Sequence, residues 1–247
     1  MKKAISFILS FLILCNPLFA AGARVQGKID VTHNDSTQVT SVTLTFDSNV
    51  TAGNAIYASV GWGLNDGTPS AADGALGNTY TAYGKIWDAT NNQGQAQFYA
   101  ANINGGACTI TYSLPTSNFI TEWQMEISGI ATGSPQDGNT LAVDASSEYD
   151  SGNISTTKTD FLLGGYQDIA SANPVGTISS AQGFTLNSAD QPGTGALAME
   201  YKVSVAAGSV QSGVTSTLTA DRSIMAIMAL IEAGGTAPKR ASGWMRR

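Results

Sequence analysis

Past its first twenty or so residues the chain alternates apolar and polar positions with the period of two that marks half-buried strands. Val42, Leu44 and Phe46 fall on one face of 39–46 and Thr43 and Thr45 on the other. Cys108, Ile110, Tyr112 and Leu114 alternate in the same way with Thr109, Thr111 and Ser113. Trp123, Met125 and Ile127 oppose Glu122, Gln124 and Glu126, and Leu197, Met199, Tyr201, Val203 and Val205 oppose Ala198, Glu200, Lys202 and Ser204. Further strands are expected over 55–62, 79–87, 95–101, 160–167 and 223–233. The run Ile224-Met225-Ala226-Ile227-Met228-Ala229-Leu230-Ile231 is apolar on both faces and, being short and flanked by strands, predicts a central strand covered on both sides.

Between these runs stand Asn65-Asp66-Gly67, Asp73-Gly74, Gly77-Asn78, Asn104-Gly105-Gly106 and Asp137-Gly138-Asn139, residues that supply the positive φ of tight turns. No capped amphipathic stretch of helical length interrupts them. The expected fold is all-β, an antiparallel two-sheet sandwich of jelly-roll or Ig-like type, spanning 22–233 as one domain with no linker and no internal repeat.

The first 21 residues have a different pattern. Lys2 and Lys3 precede an apolar run over 4–14, Asn16 and Pro17 break it, and Ala20 and Ala21 are small, which is the form of a secretory leader cleaved after Ala20 or Ala21. The run is too short for a comfortable membrane span of about 20 residues. Cys15 invites a lipid anchor, but Leu14 stands where that signal wants a small side chain, so Cys15 is expected to leave with the leader.

Charge changes once the ends are set aside. The 247 residues hold 12 Lys and Arg against 18 Asp and Glu. Two of the basic residues are in the leader and four (Lys239, Arg240, Arg246, Arg247) in the last nine residues, which leaves the body six basic against 18 acidic residues, a charge of −12. Such a surface excludes nucleic acid, whose phosphates need a basic stripe. The tail 234–247 reads as a solvated, disordered end. Its alternative is a basic, Trp-bearing peptide docking on an acidic partner or a membrane surface, for which four charges and one aromatic fall short of a stable anchor.

Gly77-Asn78-Thr79-Tyr80-Thr81, then 96–106 (AQFYAANINGG), then Thr109-Ile110-Thr111-Tyr112 form a pattern of turn, hairpin and strand. Glu126-Ile127-Ser128-Gly129-Ile130, 141–145, 160–165 and Gly183-Phe184-Thr185 extend it. Over roughly 50–233 the chain resembles a largely uncharacterised β-sandwich domain recurrent in bacterial exported proteins. The resemblance implies an extracellular sandwich and no activity, because its motifs are turns and core positions.

Little of the chain suits catalysis. His33 is the single histidine, in a polar loop with no nucleophile elbow nearby. Cys108 is the single cysteine after the leader and faces the core, so no intramolecular disulfide and no cysteine–histidine site is available. Glu122 and Glu126 share one face about 13 Å apart, too far for a retaining glycosidase pair, and are expected on a solvent face. Asn34, Asn49 and Asn153 head Asn-x-Ser/Thr triplets that arise by chance in a Ser/Thr-rich chain.

Two binding chemistries remain. Asp66 and Asp73 lie in one glycine-rich loop region and Asp144 and Asp150 in another, where calcium could find oxygen ligands. Without that structural calcium no cofactor is expected. Strand parity places Tyr57, Tyr83, Trp87 and Tyr99 together, and if their faces look outward the rings form a platform for sugars. The expected protein is a non-catalytic binding module, secreted or at the cell surface, for an extracellular glycan or surface protein, meeting a membrane only during export. The alternatives are a structural component of a surface layer, appendage or virion, and a secreted glycoside hydrolase whose carboxylate pair is hidden from sequence.

Overall fold

The strands follow the alternation closely, and those with apolar or small residues on both faces become the centres of sheets. The computed structural model describes residues 21–30, 37–144, 148–168, 177–190, 196–216 and 223–234. The leader up to Ala20 with Cys15, His33, Asn34 and the tail from residue 235 lie outside the described residues. The first half contains β1 (Ala23–Asp30), β2 (Val39–Thr45), β3 (Ala55–Gly63), β4 (Ser70–Ala72), β5 (Thr81–Asp88), β6 (Gln93–Ala100) and the 20-residue β7 (Thr109–Ser128). The second contains β8 (Gln136–Asp144), β9 (Glu148–Asp150), β10 (Ile154–Ser155), β11 (Asp160–Asp168), β12 (Ile178–Ser180), β13 (Thr185–Asp190), β14 (Ala196–Val205), β15 (Ser209–Val210), β16 (Gly213–Ser216) and β17 (Ser223–Ile231). All described pairings are antiparallel, and no helix occurs among the described residues.

The two halves repeat one topology. One large sheet runs β1-β7-β3-β6-β5 and the other β8-β17-β11-β14-β13, the same order when strands are counted along each half. Outside the first sheet β2 and β4 flank the N-terminal part of β7, and outside the second β9 and β12 flank β16, the strand just before β17. β7 thus does in one strand what β16 and β17 do in two. The register repeats as well. Tyr57 pairs with Tyr99 and Ala55 with Ile127, as Leu163 pairs with Tyr201 and Phe161 with Leu230. The bridge Val50–Gly106 recurs as Ile154–Val210.

This duplication corrects the expectation of no internal repeat. Matched positions keep burial and pairing but not identity (Tyr57 against Leu163, Trp123 against Ala226), and the connecting loops differ in length, so no sequence period survives.

The halves pack sheet on sheet through Tyr57, Tyr99, Trp123, Met125 and Ile127 on one side and Phe161, Leu163, Leu197, Met199, Met228 and Leu230 on the other. β1 lies on β13 and β5 on β8, contacts that interchange when the halves are swapped, as in a two-fold interface. Each large sheet is also covered outside, the first by β2, β4 and the start of β7, the second by β9, β10, β12, β15 and β16. The expected two-sheet sandwich is therefore two facing sheets, each with an outer cover. β17 is buried on both faces along all but its last residue, as its apolar run predicts.

Double coverage overturns one further expectation. Glu122, Gln124 and Glu126 face the outer core of the first half rather than solvent, each at 0% exposure. Glu126 accepts bonds from Thr51 N (2.8 Å), Asn54 Nδ2 (2.6 Å) and Gln26 Nε2 (2.7 Å), fixing the turn before β3. Gln95 and Gln167, also fully buried, bond across the halves to the carbonyls of Gly165 (3.3 Å) and Gly94 (2.9 Å). Much of the uncharged polarity of the sequence is internal.

Candidate functional site

The four aromatic residues do not form an outward platform. Tyr57 is fully buried between the halves, its hydroxyl taking a bond from Gln97 Nε2 at 2.9 Å, and burial pushes its pKa up to about 12. Tyr99 is buried in the same layer, edge-on to the half-buried Tyr83 with centroids 6.1 Å apart, and its hydroxyl meets Gln136 of the second half. Trp87 goes to the opposite face, stacked on Trp62 at 6.3 Å against the outer core of the first half. The reason is a bulge between Ala82 and Lys85, with Gly84 at φ 133°, which inserts one residue and reverses the parity that placed Tyr83 and Trp87 together.

The four aspartates do not converge on one site among the described residues. Asp66 pairs with Lys85 at 2.7 Å. Asp144 Oδ2 accepts the amide of Asp150 at 3.2 Å, so these two are neighbours. Among the described residues no cluster of three or more His, Cys, Asp or Glu side chains is placed to hold a metal ion.

Asp73 is the fastener of a loop. Its carboxylate accepts Asn78 N (3.1 Å), Asn78 Nδ2 (2.6 Å) and the Tyr80 hydroxyl (3.4 Å). Asn78 Oδ1 in turn accepts Asn104 N at 2.7 Å, and Asn104 Nδ2 donates to Leu76 O at 2.8 Å. The loop between β4 and β5 is thereby folded down, with Leu76 packed on the outer core and its methyl 3.1 Å from where a Cβ on Gly106 would stand. Beneath it Cys108 is buried, and burial raises its thiol to about 11, which leaves it a core hydrophobe at neutral pH.

In the second half the same place is open. The connection from β4 to β5 runs 73–80, whereas its counterpart from β12 to β13 is only 181–184. Val210 stands where Gly106 stands in the first half, by the matched bridges, and among the described residues no counterpart of Leu76 lies over it. What remains is a cleft of about 360 Å³ lined by Asn153, Leu162, Gln182, Phe184, Lys202, Ser209, Val210 and Gln211. β11 gives Leu162, β14 gives Lys202, the short turn gives Gln182 and Phe184, and the β10–β15 ladder and its flanks give the rest.

The floor is apolar: Leu162 and Phe184 are buried. The walls are carboxamides, a hydroxyl and one ammonium. Lys202 Nζ donates to Gln182 O at 3.0 Å and sits 5.8 Å from the Phe184 ring centre. Deeper on the Lys202 face of β14, Glu200 lies at 0% exposure with Gly213 N donating to it at 3.1 Å. Burial raises its carboxyl to about 9, so it is uncharged at neutral pH. Among the described residues the lining holds no carboxylate, thiol or imidazole. It suits recognition of hydroxyl-bearing rings: amides for paired hydroxyls and apolar side chains for C–H faces.

The sequence reading named Asn153 as the head of a triplet, Lys202 on the polar side of a strand, and Leu162 and Phe184 within the resemblance, but it joined none of them into a site. The missed signal was a difference in length between two equivalent loops, which becomes visible only once the halves are superposed. The chain matches no family model, no curated protein and no solved structure.

Proposed function

We propose that the protein is a non-catalytic binding module, acting outside the cell or at its surface, that seats one sugar of a glycan in the second-half cleft. The observation behind this reading is the asymmetry of the duplication: one fold occurs twice, one copy closes the cleft with a fastened loop, and the other leaves it open and polar. The leader predicted from the sequence supports the location. We further read each half as a jelly roll. Counting β7 as two strands, the first, last, third and sixth strands lie side by side in one sheet with the fifth at its edge beside the sixth, and the second, penultimate and fourth lie in the other.

The sheet edges favour a binding module over an assembly component. The edge strands β1, β5, β8 and β13 each pair with their neighbour through a bulge, and β1 and β5 also carry Lys28 and Lys85. Bulges and lysines blunt an edge against further strand addition. The exposed large hydrophobics among the described residues are only Val25, Leu64 and Val203, too few for a broad apolar interface.

Polysaccharide retention by the mature chain tests the reading. Replacing both Gln182 and Gln211 by alanine removes hydrogen bonds of about 1 kcal/mol each, so affinity for a retained glycan should fall at least about tenfold. Trp87→Ala should leave it unchanged. Unchanged binding in the double variant, or its loss in Trp87→Ala, contradicts the assignment of the cleft.

A further inference from the structure

The charge around the cleft narrows the ligand. The body carries −12 with six cations, of which Lys28 donates to Asp47 and Lys85 to Asp66, each at 2.7 Å, while Arg24 and Lys158 stand exposed on the surface. Lys202 instead lines the cleft. Its ammonium spends one of three donors on the Gln182 carbonyl, and no carboxylate among the described residues stands within ion-pair range. Glu200, the acid on the same face of the same strand, is buried beneath and carries no charge at neutral pH. The cleft is therefore a small positive site on a strongly negative body.

We propose, building on the reading that the cleft holds a glycan, that the seated sugar is a uronate whose ring carboxylate pairs with Lys202 Nζ, within an otherwise neutral chain. Three features select this class. One compact ammonium suits a monoanion, whereas phosphate and sulfate groups are held by several donors, an arginine fork or a helix terminus. The carboxamides of Asn153, Gln182 and Gln211 and the hydroxyl of Ser209 surround the ammonium with partners for ring hydroxyls, over the apolar floor of Leu162, Phe184 and Val210. The body's own charge limits the ligand to an isolated uronate. A polyuronate would bring further carboxylates within about 8 Å, one Debye length at physiological salt, of an acidic surface.

Calorimetry on the mature chain, with a neutral β-1,4-linked trisaccharide and the same trisaccharide carrying one glucuronate or galacturonate, tests the inference. The uronate form should bind at least about tenfold more tightly at low salt, and added salt should shrink the difference. Lys202→Gln should abolish the preference, and Lys202→Arg should keep most of it. Equal binding of the two sugars, or a preference that survives in Lys202→Gln, overturns the uronate inference. If the neutral sugar still binds and depends on Gln182 and Gln211, the cleft reading stands without it. If neither sugar binds, both readings fail.

Discussion

Replacing Trp123 by alanine is expected to lower the free energy of unfolding by about 3–5 kcal/mol, and both halves should still unfold in one transition. Trp123 is at 0% exposure in the layer between the sheets. Its indole reaches the second half, where a Cβ on Gly165 would stand 3.0 Å from Trp123 Cζ2 and 3.1 Å from Nε1. Glycine at 165 is what lets the ring approach so closely. Because both halves contribute to this layer, loosening it removes burial from each. Guanidinium unfolding followed by fluorescence and by far-ultraviolet circular dichroism checks the point. A loss below about 1 kcal/mol, or two separated transitions with one unaffected, would show that the halves do not depend on a shared core.

Stability is expected to fall as pH rises from about 5 to 9, the reverse of what an acidic protein with paired surface carboxylates does. Two buried acids set the direction. Burial raises Glu200 from 4.5 to about 9, opposed only by the bond from Gly213 N. Burial, then the charge of Asp137 and more weakly that of Glu232, raises Asp160 from 3.8 to about 7, against a bond from Thr156. In both cases the folded chain keeps a proton that the unfolded chain releases. Their contribution is complete below the unfolded pKa values and is lost as pH climbs through 7 for Asp160 and 9 for Glu200. Asp137 works the other way: burial opposes its ionisation, but bonds from Thr157 and Lys158 outweigh it and lower its pKa, so its contribution disappears in acid. The optimum should lie near pH 4–5. In Glu200→Gln the decline should end near pH 7 instead of continuing to 9. A wild-type stability that rises from pH 5 to 9 would show that these acids are ionised in the folded state.

The strands were legible because alternation reports half-burial directly: β2 and β17 begin and end close to where the pattern places them, while the two runs read at 108–114 and 122–127 are the two ends of one long strand, β7. What alternation cannot report is a second covering layer. Glu122 and Glu126 read as solvent-facing because their neighbours are polar, yet the start of β7 and β2 fold over them. Nor does it survive an inserted residue: the bulge at Gly84 separated Tyr83 from Trp87, and with it the aromatic platform. The duplication was hidden because what is repeated is pairing, not residue identity. The motif that carried the resemblance, Gly77 to Thr81 with Asn104 to Gly106, turned out to be the fastening of the first-half loop. Its absence from the second half is what leaves a cleft there, and a cleft made by a missing loop has no sequence signature of its own.

The most direct test of the cleft as the ligand seat is a footprint of bound sugar on the backbone amides of the isotopically labelled mature chain, using the uronate-bearing trisaccharide. Shifts are expected at Asn153, Gln182 to Phe184, Lys202 and Ser209 to Gln211, with the loop 73–80 and Trp87 unmoved. Shifts centred on Tyr83 and Trp87, or on the closed loop of the first half, would contradict it.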